Sequence, residues 1–151
     1  MKVYIETSSL IIFLFGKEKE PIKYHEIFSL FKILKSKNVD VIISFYTLHE
    51  IFNFCVDNFP PKVLDEVIRL SFLKLFSNKI IVKPLLKREE RIIHKNKFVM
   101  EDSTDQVHVI TAFVNGCDVI ITYDSHFKTV KQFVNSYTPS EFINKTKSFL
   151  Y

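Results

Sequence analysis

The sequence predicts an α/β domain built around a parallel β-sheet. Short runs of β-branched residues alternate with longer amphipathic stretches, which is the pattern of strands joined by crossover helices. Only two glycines occur among the 151 residues, which argues against a fold made of many tight β-turns. With 47% hydrophobic residues, the chain is expected to form one domain, residues 1–151, that buries a substantial core.

Five apolar runs predict the strands of this sheet. Four of them are rich in valine and isoleucine, and the fifth is a short segment near the C-terminus. The predicted strands are Val3–Ile5, Val41–Ser44, Ile80–Val82, Val119–Thr122 and Phe133–Tyr137.

Capping residues and prolines predict where the helices begin and end. Thr7–Ser9 offers an N-cap for a first helix that continues to Phe15. Pro21 suits the first turn of a second helix. Thr47 and Glu50 have the spacing of a capping box, which is expected to open the third helix. Further helices are predicted from Pro61 to about Phe76, from about Lys87 to His94, from Asp102 to Gly116, and from Thr138 onward.

Four acidic residues lie at the boundaries of these elements. Glu6 directly follows the first strand, and Asp124 follows the fourth. Glu50 and Asp105 are expected in the first turns of helices. In open parallel sheets, sites form at the carboxyl ends of strands where the strand order reverses. If the first and fourth strands are neighbours, Glu6 and Asp124 face one crevice and the other two acids can reach its rim.

Four converging carboxylates repel one another unless a cation compensates them. Hard oxygen ligands select Mg²⁺ or Mn²⁺ over zinc, and such a site suits hydrolysis of a phosphodiester. Three of the acids also have structural interpretations. Glu50 can act as a capping-box residue, Asp105 can favour the helix dipole or pair with the cap before it, and Asp124 can cap the following turn. For Glu6, which ends a buried strand, no such interpretation is apparent.

The sequence resembles the PIN-domain family, especially its VapC-type toxins, over nearly its whole length. Each of five segments is similar to a family motif, in the expected order: the opening strand and acid, the glutamate of the third helix, an aspartate-led helix, a strand ending in Thr-Tyr-Asp, and the final strand with its helix start. The segments are Val3–Ile11, Ile43–Ile51, Asp105–Ala112, Asp118–Phe127 and Tyr137–Phe142.

The resemblance implies a central parallel sheet of order 3-2-1-4-5, flanked by helices. It implies a metal-dependent endoribonuclease that cleaves RNA, acts as the toxin of a toxin–antitoxin pair, binds a small antitoxin protein and forms a homodimer. Mg²⁺ or Mn²⁺ is the expected cofactor. The implied catalytic and metal-binding acids are Glu6, Glu50, Asp105 and Asp124, and the implied supports for water or phosphate are Thr7, Ser8 and Thr122.

Two positions depart from the family pattern. The first acid is normally aspartate, whereas Glu6 carries one more methylene, which moves the carboxylate by roughly 1 Å; an error of that size can cost ~100-fold in rate. His126 stands where the family sometimes has another acid. The alternative is therefore a catalytically weak or inactive PIN domain that binds RNA or protein. A receiver-like phosphoacceptor domain is a third possibility, but no suitable lysine follows a late strand.

Composition leaves the choice of partner open. A net charge of +4 permits a nucleic acid but does not require one. No run is long and apolar enough to cross a membrane, so a cytoplasmic protein is expected. The basic residues that could line an RNA path, many of which also suit a solvated surface, are Lys35, Lys37, Lys87, Arg88, Arg91, Lys95, Lys97, Lys128 and Lys131.

The sequence also predicts the environments of four phenylalanines, one histidine and the two cysteines. Phenylalanines of the first two helices are predicted to form a surface for the antitoxin or, alternatively, to lie in the core. His108 is predicted to be a hydrogen-bonded histidine, and Cys55 and Cys117 to be small core residues. The four phenylalanines are Phe13, Phe15, Phe28 and Phe31.

Overall fold

A computed structural model describes residues 1–37 and 39–148. Its centre is a five-stranded sheet in which every pairing is parallel and the order is β3-β2-β1-β4-β5. The predicted α/β class and strand order are confirmed, and the first and fourth strands are neighbours. The strands are β1 (Lys2–Ile5), β2 (Asp40–Ser44), β3 (Ile80–Lys83), β4 (Val119–Ile121) and β5 (Asn135–Tyr137).

Helices connect successive strands and cover both faces of the sheet. Each helix predicted from the sequence is present, with the differences in boundaries given below. The helices are α1 (Thr7–Lys19), α2 (Pro21–Ser36), α3 (Phe45–Asn58), α4 (Pro61–Phe76), α5 (Arg88–Lys95), α6 (Ser103–Val114) and α7 (Pro139–Ser148), with a 3-10 helix at Ser125–Val130.

The alternation of side chains along each strand divides the core between the two faces. In β1, Val3 and Ile5 enter a larger core with residues of α1, α2, α3, α4 and α7. Tyr4, between them, enters a smaller core formed mainly with α6 and the 3-10 helix. Strands that are covered on both faces read as continuous apolar runs, which is why these runs are so evident in the sequence.

The start of α1 differs from the prediction, because Glu6 and not the Thr7–Ser9 segment provides the N-cap. The Glu6 Oε1 atom accepts a hydrogen bond from the Ser8 backbone N–H at 2.9 Å. The Thr7 and Ser8 hydroxyls instead donate to carboxylates. Since the carboxylate satisfies one of the free N–H groups of the first turn, the helix begins directly after Glu6, and it continues to Lys19 rather than Phe15.

The start of α3 also differs, and the capping-box interpretation of Glu50 is wrong. Ser44 ends β2 and caps the helix by accepting a hydrogen bond from the Thr47 backbone N–H at 3.0 Å. The helix therefore begins at Phe45, and Glu50 lies in its second turn rather than its first. One hydroxyl that both closes the strand and caps the helix leaves no connecting residue between the two elements.

Several smaller expectations can be compared directly. The fifth strand is shorter than predicted and begins at Asn135. Gly116 follows α6 in the left-handed region, with φ +63°, as expected for a residue that ends a helix. Cys55 and Cys117 are free and buried, which confirms them as core residues.

The phenylalanines predicted to form one apolar surface are divided between core and surface. Phe13 and Phe31 are buried, with ring centroids 4.4 Å apart, so the surface interpretation is wrong for these two residues. Both rings are buried where α1 packs against α2. Phe28 remains exposed and Phe15 is half-buried.

Within the described residues, no helix is both long enough and apolar enough to cross a membrane.

Candidate metal centre

Glu6 is a buried carboxylate at the carboxyl end of β1, and its side chain is held by neutral donors. The residue is only 6% exposed. Its Oε2 atom accepts a hydrogen bond from the Thr122 hydroxyl at 2.9 Å and another from the Ser8 hydroxyl. With the Ser8 N–H bond to Oε1, all three hydrogen bonds come from uncharged groups, so none of them supplies a compensating positive charge.

Thr122 joins Glu6 to Asp124 across the neighbouring strands β1 and β4. Its hydroxyl donates to Glu6 and accepts a hydrogen bond from the Asp124 backbone N–H at 2.9 Å. The Asp124 Oδ1 atom in turn accepts from the His126 backbone N–H at 2.8 Å and caps the 3-10 helix. The capping interpretation of Asp124 is thus correct, and the cap fixes the carboxylate at the end of β4.

Asp105, Asp124 and His126 form a compact group of potential metal ligands. One ligand atom from each residue lies within 4.8 Å of the other two. The Nδ1 atom of His126 is 3.3 Å from Asp124 Oδ1 and 3.9 Å from Asp105 Oδ2. Asp105 lies in the first turn of α6, as predicted, and its side chain is 13% exposed.

The electrostatic environment of Asp105 is strongly negative. Burial and the nearby Asp124, Asp102 and Glu6 carboxylates raise its pKa to about 6. A carboxylate that is desolvated beside other carboxylates is stabilised by a bound cation. This environment, with carboxylate oxygens and one imidazole nitrogen as donors, fits a divalent metal ion.

Glu50 is bound by residues of other elements and lies outside this compact group. Its Oε2 atom accepts a hydrogen bond from the Thr7 hydroxyl and lies 2.8 Å from His108 Nε2. Among the described residues, neither Glu50 nor Glu6 belongs to a group of three or more residues whose potential ligand atoms lie within 4.8 Å of one another. Glu6 is connected to the compact group through Thr122, and Glu50 is connected to Glu6 through Thr7, the next residue in the chain.

His108 connects Glu50 to a buried network of hydroxyls. The ring is 1% exposed, which confirms the prediction of a hydrogen-bonded histidine. Its Nδ1 atom lies 2.8 Å from the Tyr4 hydroxyl, which itself donates to Ser44 Oγ at 3.1 Å. If Tyr4 donates to Ser44, its oxygen must accept from Nδ1–H, and Nε2–H is then directed at the Glu50 carboxylate.

This arrangement favours the imidazolium form of His108. Burial lowers the pKa of the ring, but the Tyr4 oxygen and the hydrogen bond to Glu50, followed by the charges of Glu6 and Glu50, raise it above the usual value. A positive charge on His108 compensates Glu50 directly through a hydrogen bond of 2.8 Å, whereas it acts on Asp105 and Glu6 through its charge alone.

Two features of the site are not predicted by the sequence. His126 stands out there only as a departure from a family pattern, although its position two residues after Asp124 is a usable signal for a ligand. The partnership of Tyr4, His108 and Glu50 has no local signal, since these residues are separated by 104 and 58 positions. Thr7, Ser8 and Thr122 do contact the acids, while their roles toward water or phosphate stay predictions.

Two adjoining grooves lie beside the N-terminal end of α6. They have volumes of about 450 Å³ and 380 Å³ and share Leu86, Arg91 and Ser103 in their walls. Arg88 and Lys95 line the first groove, and Tyr46 lines the second. The Tyr46 ring lies 5.5 Å from the His108 ring, which contacts Glu50. The second groove therefore extends from Arg91 toward Glu50.

The sequence matches no protein-family model and no curated protein at significant similarity. The structure, however, superposes on solved proteins. VapBC2 from Rickettsia felis, bound to a DNA fragment from its promoter, is 13% identical with a TM-score of 0.65, covering 91% of this chain and 98% of that one. DNA-bound VapBC from Salmonella typhimurium is 17% identical with a TM-score of 0.64, covering 92% and 98%.

A third structural neighbour is a toxin with a described target. VapC20 from Mycobacterium tuberculosis, a sarcin–ricin loop cleaving toxin, is 14% identical with a TM-score of 0.63, covering 88% of this chain and 97% of that one. At these identities the likeness is one of fold. The chain has a PIN-domain, VapC-like fold.

Proposed function

We propose that this protein is a metal-dependent endoribonuclease of the VapC toxin type. The observation that carries the proposal is the group formed by Asp105, Asp124 and His126 beside the buried Glu6, where β1 and β4 end. The group concentrates negative charge that no neighbouring lysine or arginine is seen to pair with among the described residues. One protein of the same fold is a sarcin–ricin loop cleaving toxin.

Mg²⁺ or Mn²⁺ would be held by Asp105 and Asp124, with Glu6 and Glu50 as the further acids. When bound, such an ion activates water and stabilises negative charge on a phosphate. Ser8 and Thr122 keep the Glu6 carboxylate in one orientation through their hydrogen bonds. The cap formed by Asp124 keeps the other strand-end carboxylate in place.

The RNA substrate would approach along the basic grooves beside α6. Arg88, Arg91 and Lys95 provide charge for phosphates, and Tyr46 provides an aromatic face near the acids. Of the nine basic residues that the sequence offers for an RNA path, these three line the groove beside α6, and Lys128 lines a smaller cavity together with Thr122 and Asp124. The path therefore begins at α5 and leads toward Asp105.

An antitoxin protein would bind the apolar groove between α1 and α3. This groove has a volume of about 540 Å³ and is lined by Phe15, Phe54 and Phe59, among other residues. None of the four acids of the candidate metal site lines this groove, so an occupant could block the metal site only by extending beyond the groove. Structural neighbours that are VapBC complexes support such a partner, and the homodimer and the cytoplasmic location expected from the sequence belong to the same proposal.

A catalytically weak PIN domain remains the second candidate, and one specific observation favours it. The Glu6 carboxylate already accepts three hydrogen bonds and caps α1, while Glu50 is paired with His108. Both acids are therefore engaged by protein groups that a metal would have to share. In this case the chain would bind RNA or a partner protein without efficient cleavage.

A nuclease assay on structured RNA separates the two candidates. Wild-type protein is incubated with Mn²⁺ or Mg²⁺ and, separately, with excess EDTA. We expect metal-dependent cleavage that Asp124→Asn abolishes and that Asp65→Asn, a change at an exposed aspartate of α4, leaves intact. Equal cleavage in EDTA, or by Asp124→Asn, would contradict a metal-dependent nuclease. RNA binding without cleavage would favour the second candidate.

A further inference from the structure

We propose that His126 binds the metal ion directly through its Nδ1 atom, together with Asp105 and Asp124, and that this nitrogen makes the site prefer Mn²⁺ to Mg²⁺. The inference rests on the metal site of the proposed function and assigns it a ligand and a metal preference. It concerns the residue at which this chain departs from an all-carboxylate site.

The distances suit three ligands of one ion. Donors about 2.1 Å from a metal lie roughly 3 Å apart at right angles and roughly 4 Å apart when opposite. The His126 nitrogen is 3.3 Å from Asp124 Oδ1 and 3.9 Å from Asp105 Oδ2, between these two limits. All three donor atoms lie within 4.8 Å of one another, so modest side-chain rotations would bring them together on one ion.

The backbone places the imidazole beside the acids. The hydrogen bond from His126 N–H to Asp124 Oδ1 fixes the turn that follows β4, and the Nδ1 atom of the ring then lies within 4 Å of both carboxylates. The ring is 59% exposed and both of its ion-pair contacts are with these carboxylates. Its placement is thus explained by the acids rather than by packing.

A nitrogen ligand changes which metal binds best. Mg²⁺ prefers oxygen ligands and gives up its water reluctantly. First-row transition metals accept imidazole as well as carboxylate, and Mn²⁺ is the one among them closest to Mg²⁺ in its use of carboxylates. Asp105 and Asp124 alone would suit either ion, so the preference depends on His126.

The nitrogen ligand can be detected by pulsed electron paramagnetic resonance of Mn²⁺ added to the full chain. Wild type should show a ¹⁴N coupling from a bound imidazole, and His126→Asp should lose it while still binding Mn²⁺ through carboxylates. His25→Asn, a change at an exposed histidine of α2, should keep it. Calorimetric titration should show the ratio of Mn²⁺ to Mg²⁺ affinity falling at least tenfold in His126→Asp, but not in His25→Asn.

The outcomes separate this inference from the proposed function. If wild type binds Mn²⁺ without ¹⁴N coupling, or if the coupling persists in His126→Asp, His126 is not a ligand and the inference fails while the metal site stands. An unchanged affinity ratio in His126→Asp would overturn the metal preference. If wild type binds neither ion, the metal-dependent nuclease and this inference both fail.

Discussion

Removing the Tyr4 hydroxyl tests whether the buried network supports Glu50. In Tyr4→Phe the ring stays in the smaller core, where Tyr4 is 0% exposed, so no cavity of ring size forms. Ser44 and Thr47 keep their own hydrogen bond of 3.1 Å. His108 Nδ1, which lies 2.8 Å from the hydroxyl, loses its partner in a buried position.

The expected loss in the free energy of unfolding follows from that single unsatisfied donor. Leaving one buried donor unpaired costs about 1–3 kcal/mol, and a charged ring lies toward the upper end. A loss of about 2 kcal/mol lowers the melting temperature of a domain of this size by roughly 4–8 °C. Since His108 then holds Glu50 less firmly, metal affinity should fall by about tenfold or more, as when the support of a ligand is lost.

Thermal unfolding by circular dichroism, with and without saturating Mn²⁺, measures both effects. Tyr24→Phe is the matched control, because this half-buried tyrosine contacts its neighbours through its ring. We expect it to change stability by less than about 0.5 kcal/mol. If Tyr4→Phe and Tyr24→Phe melt at the same temperature, the reasoning about the network is refuted.

Three further outcomes are expected. Saturating Mn²⁺ should raise the melting temperature of wild type more than NaCl of equal ionic strength, and Asp124→Asn should reduce that difference in calorimetric scans. In EDTA, the free energy of unfolding should fall as pH rises from about 4 to about 6, because native Asp105 keeps its proton up to a pKa of about 6 while the unfolded chain has already lost it; urea titrations of Asp105→Asn should lack this component. Glu6→Gln should nearly abolish cleavage in the RNA assay, whereas Glu6→Asp should lower it in an adapted site or raise it at least tenfold, about 1.4 kcal/mol of barrier, in a weakened one; equal cleavage by all three would show that Glu6 is not in the site.

The strands and their edges can be predicted from local sequence. Runs such as Val3–Ile5 and Val119–Ile121 are apolar on both faces because helices cover both faces of the sheet. Acids that follow such runs within three residues lie at the carboxyl edge, so local sequence is sufficient to predict Glu6 and Asp124 there. The strand order itself comes from resemblance, since hydrophobic pattern carries no information on which strands are neighbours.

Helix starts are predicted less well, because a cap depends on which acceptor the folded chain presents. Ser44 ends β2 and Glu6 directly follows β1, and each caps the next helix. The sequence equally offers Thr7–Ser9 and Thr47 as caps. Only the packed structure shows that the Thr7 and Ser8 hydroxyls are directed at carboxylates instead.

Some features of the site can be predicted from local sequence, whereas others depend on tertiary structure. Sequence predicts the four acids and the polar residues beside them as site residues, since each lies near a strand end or a helix start. Tertiary structure alone divides the acids, pairing Glu50 with His108 and bringing Asp105 to Asp124 and His126. These partnerships depend on distances of 2.8–3.9 Å between side chains of different elements, and such distances arise only when the elements pack.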